Sequence, residues 1–72
     1  MSKFTKVSTS SILTNSTKTI KVEVNKYIKN GTKRNFWAAS YDGKRVSRTM
    51  FSTLGSCERD ARNFMVWLSK QN

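Results

Sequence analysis

The chain has no histidine, one cysteine and four acidic residues among its 72. Without histidine, a His-based triad or acid/base mechanism is excluded. With one thiol and four scattered carboxylates, no protein-built zinc or calcium site is expected, nor any cofactor or enzymatic activity. Cys57 has no second cysteine to pair with, so there is no disulfide framework and a reducing compartment is the simpler expectation. Apolar runs end after a few residues, as in Phe36-Trp37-Ala38-Ala39, far short of the ~20 needed for a membrane span. The start, Met1-Ser2-Lys3-Phe4-Thr5-Lys6, is cationic but has no apolar segment behind it, which argues against a secretory signal peptide. There is no internal repeat and no glycine-rich phosphate loop. Gly31, Gly43 and Gly55 are spaced as punctuation between elements.

Positive charge is abundant. Fourteen Lys and Arg give a net charge of +10, on a chain with room for one small domain. The excess is uneven: +3 over residues 1–18, +6 over 19–51 and +1 over 52–72. A basic binding module for a polyanion is the class that remains.

Residues 1–18 are crowded with Ser and Thr. Such a segment has little to bury and reads as a flexible basic arm, although Phe4, Val7, Ile12 and Leu13 would allow a short extra strand. From Thr19 the pattern turns to period two, with Ile20, Val22 and Val24 alternating with Lys21, Glu23 and Asn25. That is a half-buried strand. Asn30-Gly31 and Asp42-Gly43 mark two hairpin turns, which set a second strand over 35–41 and a third over 44–51. Leu54, Cys57, Ala61, Phe64 and Leu68 then recur at helical spacing, with Thr53 or Ser56 as the cap. The expected fold is α+β: a three-stranded antiparallel sheet packed on one C-terminal helix (βββα, residues 19–72), preceded by the arm. A bulge near Arg48 to Met50 is expected, because strict alternation would otherwise turn Arg48 towards the helix and Phe51 away from it. Cys57, on the apolar stripe, reads as an inert packed thiol.

Trp37-Ala38-Ala39-Ser40-Tyr41-Asp42-Gly43-Lys44-Arg45, followed by Phe51-Ser52-Thr53, Ala61 and Phe64, resembles the three-strand-plus-helix DNA-binding domains of tyrosine-integrase N-termini and of Apetala-two type regulators. The resemblance covers roughly residues 19–70. It departs at Leu54-Gly55-Ser56-Cys57, where the family usually has Glu-Ala. It implies a sheet that enters the DNA major groove, with Trp37, Ala39 and Tyr41 on the helix side and Phe36, Ala38 and Ser40 outward. The alternative places Trp37 outward as a stacking platform.

Candidate nucleic-acid contacts follow. Lys44, Arg45 and Arg48 come first, since arginine offers a bidentate fork to guanine or phosphate. Lys29, Lys33 and Arg34 flank a turn suited to phosphates. Lys21, Asn25 and Tyr27 share the outward face of the first strand, where Asn25 could read adenine and Tyr27 could stack. Ser40 is small enough for close approach. Lys3, Lys6 and Lys18 on the arm would add salt-sensitive affinity.

The expected function is double-stranded DNA binding by a phage or mobile-element regulatory protein, cytoplasmic in a bacterial host and without membrane contact. The competing expectation is a small phage-encoded inhibitor of a host defence (CRISPR or restriction) or transcription complex, a nucleic-acid-processing partner gripped through the basic face or through Val66 and Trp67. RNA is the third option, set back by the lack of a clear aromatic pair in an RNA-binding motif.

Overall fold

The computed structural model describes residues 3–71. It corrects the expected fold at both ends of the sheet. Four strands are present, β1 (Phe4–Thr14), β2 (Lys21–Lys29), β3 (Asn35–Tyr41) and β4 (Lys44–Arg45), followed by the helix α1 (Leu54–Ser69). They form one antiparallel meander in the order β1-β2-β3-β4.

The first correction concerns the segment read as an arm. Residues 1 and 2 lie outside the described residues, but Phe4–Thr14 is the longest strand and pairs with β2 from Phe4↔Lys29 to Thr14↔Lys21. Two register shifts, between Lys6 and Ser8 and between Thr9 and Ser11, break its alternation. A strand with two such irregularities has no clean period of two. Its hydroxyls do much of the work that apolar side chains do elsewhere. Ser11 donates to Glu58 Oε2 on the helix (2.9 Å), and Ser10 accepts from Trp37 Nε1 (3.2 Å). Asn15 then closes the β1–β2 connection, its Oδ1 accepting from the amides of Thr19 (2.9 Å) and Ile20 (3.0 Å).

The second correction is at the third expected strand, 44–51. Only Lys44 and Arg45 form a regular strand, opposite Tyr41 and Ser40. Beyond them Val46 and Ser47 both donate their amides to the Ala39 carbonyl, at 3.0 and 3.4 Å. The Ala39 amide donates in turn to the Ser47 hydroxyl at 2.8 Å. The side chain thus satisfies a buried donor that a continuous ladder would have given to a carbonyl. The chain swings out through Arg48–Met50 and returns at Phe51, which exchanges two 2.8 Å hydrogen bonds with Trp37. This excursion restores Phe51 to the helix side, as the expected irregularity required.

The core lies between one sheet face and α1. Val22, Val24, Cys57 and Ala61 are wholly inaccessible, with Ile20, Ala39 and Met65 nearly so. Trp37, Tyr41, Phe51, Phe64 and Leu68 close the rim. Each fully buried valine contributes roughly 1.5–3 kcal/mol. Small Ala39, Ala61 and Cys57 at the centre let the helix sit close to the sheet. Thr53 caps the helix, its hydroxyl accepting from the Ser56 amide at 3.3 Å.

Burial, followed by the nearby Asp60 and Glu58 carboxylates, pushes the Cys57 thiol up to about 11, against a smaller lowering by the Ser47 hydrogen bond. Two outcomes are expected. Deleting residues 1–14 removes the paired edge strand Phe4–Thr14 rather than a tail, so cooperative unfolding by urea should be lost. Cys57 should resist alkylation in the native protein at pH 8 but not in the denatured one. Because its folded pKa is raised from the ordinary 9.0, its contribution to stability is intact below pH 9 and declines as pH climbs towards 11. A denaturant midpoint followed across that range reads the decline.

Candidate nucleic-acid interface

The face of the sheet opposite α1 is assembled by alternation. Val22, Val24 and Ala39 point into the core, so their strand neighbours point away from it. By register this open face carries Lys21, Glu23, Asn25, Tyr27 and Lys29 from β2, Phe36, Ala38 and Ser40 from β3, and Arg45 from β4. β1 adds Phe4, Lys6, Thr9, Ile12 and Thr14.

Its floor is low and tied together. Ala38 is 1% exposed and Asn25 3%. The Thr9 hydroxyl donates to Asn25 Oδ1 (2.9 Å), and Asn25 Nδ2 donates to the Ser40 hydroxyl (3.0 Å). This bridge runs across β1, β2 and β3. Asn25 therefore spends both ends of its amide within the sheet, and its position is that of a brace rather than a reader of bases. Ser40 shares the bridge but is half-exposed.

Around the floor stand exposed cations. Lys6, Lys21, Lys29, Arg34 and Arg45 are all exposed, and Glu23, half-buried, is the acid on the strands of this face. Arg45 is oriented by donation from Nε to the Ser47 carbonyl at 3.0 Å. The Arg34 guanidinium lies 5.8 Å from the centre of the Phe36 ring. The turn that carries Arg34 is closed by the Thr32 amide donating to the Lys29 carbonyl (3.0 Å), with Gly31 at φ 87°.

Of the residues expected at the site, Lys21, Asn25, Tyr27, Lys29, Ser40 and Arg45 thus share one face, with Arg34 at its end and Lys33 exposed at the turn. Lys44 and Arg48 do not join them. Lys44 sits opposite Tyr41 on the other parity. Arg48, carried off by the excursion, lines a hollow beside the helix with Phe51, Asp60, Phe64 and Trp67. Trp37 lies on the helix side with Ala39 and Tyr41, so the aromatic groups of the open face are instead Phe4, Tyr27 and Phe36. Lys6 was expected on an arm and is found directly opposite Tyr27. The signal for it was present only as a two-three-three-two spacing, which no single period captures.

Among the described residues no helix is long and apolar enough to cross a membrane. No protein-family model matches the chain, and no significant match is found among curated proteins or solved structures.

The brace can be tested separately from the cations. Asn25→Ala leaves the Thr9 and Ser40 hydroxyls without their amide, and should lower stability by about 1–3 kcal/mol in urea denaturation. Affinity of the folded variant for nucleic acid should change less than when Lys21 or Arg45 is neutralised.

Proposed function

We propose that the protein is a small DNA-binding module that lays its open sheet face on double-stranded DNA. The observation that carries this reading is the gathering of Lys6, Lys21, Lys29, Arg34 and Arg45 from four separate segments onto the one face the helix leaves uncovered. Such a field attracts a phosphate backbone. From β1 to β4 the face is roughly 14 Å across, a little wider than a major groove of about 12 Å, so its edges meet the groove walls. Lys6, Lys21, Lys29 and Arg34 suit phosphates on the groove walls. Arg45, held by Ser47, is the side chain best placed to present a fork to a base edge beside Ser40. A regulatory role in a phage or mobile element is supported by the integrase-like motif residues alone.

A second reading has its own observation. Val66 and Trp67, at 54% and 55% exposed, stand on the helix, away from the basic face, Trp67 beside the hollow that holds Arg48 and Val66 beside another lined by Asn15, Thr17 and Arg62. They would serve as the apolar anchor of a protein partner, such as a host defence or transcription complex. In that case replacing Trp67 with Ser removes the biological effect and leaves DNA affinity intact.

Neutralising about five phosphates gives a slope of log K against log salt near −4.5, measurable by fluorescence anisotropy with a random duplex. Lys21→Glu combined with Arg45→Glu should weaken binding by at least about tenfold. Arg59→Glu with Lys70→Glu on the helix should weaken it far less. A flat salt dependence, or equal losses from both pairs, would refute the sheet-face reading.

A further inference from the structure

The open face is not chemically uniform. Towards the β2–β3 turn it carries rings. Tyr27 and Phe36 are cross-strand partners, and Phe4 meets Phe36 with centroids 5.4 Å apart and planes at 75°. The rings are therefore joined edge to face, not stacked flat on one another. All three are half-buried.

These rings are not part of the domain's core. Among the described residues, the cluster between sheet and helix draws on no residue from Asn25 through Phe36, and none before Leu13. The aromatic end therefore extends beyond the packed part of the sheet. Three half-buried rings at such a place still show part of their surface to solvent, and apolar groups held together there on a small basic domain mark a contact surface.

Each ring also has a cation beside it. Lys6 stands opposite Tyr27 and Lys29 opposite Phe4, while Arg34 lies over Phe36. Flat π-surfaces interleaved with positive charge are the chemistry that takes an unpaired nucleobase on the ring and its phosphate on the cation. A paired base inside a duplex hides its faces in the stack and cannot use such rings. The other end of the face, with Lys21, Ser40 and Arg45, has charge and hydroxyl without rings, and suits backbone and groove contacts.

We propose that the Tyr27–Phe36 end is a stacking platform for an unpaired DNA base next to the duplex held by the rest of the face. The inference rests on the DNA-binding reading above and deepens it: the preferred ligand is a junction between paired and unpaired DNA, with Tyr27 and Phe36 as the stacking residues and Phe4 bracing Phe36.

The test is an anisotropy titration of the full chain with three labelled DNAs at one salt concentration: a blunt duplex, the same duplex with a short thymine tail, and the same duplex with an abasic tail of equal length. The abasic tail supplies the phosphates without the bases. The thymine tail should bind about tenfold tighter than the blunt duplex, and the abasic tail should fall back close to the blunt value. Tyr27→Leu and Phe36→Leu keep an apolar side chain and should remove the gain of the thymine tail over the abasic tail, with a cooperative urea transition showing that the variants are folded. Equal affinities for thymine and abasic tails overturn the platform and leave duplex binding standing. Failure of all three DNAs to bind overturns the DNA reading and the platform with it.

Discussion

A sheet has two faces, and this chain supplies one helix. The contact of Cys57, Ala61 and Met65 with Ile20, Val22, Val24 and Ala39 is therefore the constraint on which the rest depends. It fixes which face is dry. It also dictates that the opposite face be stable in water, which it achieves with hydroxyls, an amide and charge around a small group of rings rather than with a second packed layer. The near-neutral helix and the basic sheet are two sides of the same partition. Charges placed under the helix would be desolvated at prohibitive cost, so the excess collects where solvent or a polyanion can meet it.

The same constraint explains the irregular end of the sheet. Phe51 has to reach the rim of the core, yet a straight strand from Lys44 would present it to water. The double donation to the Ala39 carbonyl and the Ser47 hydroxyl on the Ala39 amide change the phase. Buried Ser47, 6% exposed, is thus a backbone substitute rather than a stray polar group, and no buried side-chain polar atom among those described lacks a partner. Arg45 and Arg48, three residues apart, lie on different sides of the molecule, the first on the open face and the second beside the helix.

Sequence reading succeeded where one physical signal dominated. The valine alternation of β2, the Asp42-Gly43 turn, both residues of which have positive φ (55° and 78°), and the helical stripe from Leu54 to Leu68 each stand alone as evidence. It failed where two signals were superposed. β1 is a strand whose two register shifts scramble its period and whose Ser and Thr content mimics a linker. Its hydroxyls are structural, as the Ser11–Glu58 and Thr9–Asn25 bonds show, but a hydroxyl's partner is a tertiary fact that composition does not carry. Asn25 was legible as outward-facing; that Thr9 and Ser40 flank it was not, because Thr9 belongs to the strand that was missed. The aromatic cluster was invisible for the same reason, since Phe4 meets Phe36 only once β1 is in place.

The extension of the β2–β3 hairpin beyond the core has a bearing on how such a protein can change over time. A substitution at Tyr27, Lys29, Lys33, Arg34 or Phe36 touches no residue between sheet and helix, so its effect on folding is local. Binding preference at that end can drift, sharpen or be re-targeted while the valines, Cys57 and Ala61 stay as they are. The domain separates what must be kept from what is at liberty to vary, and does so within a single sheet.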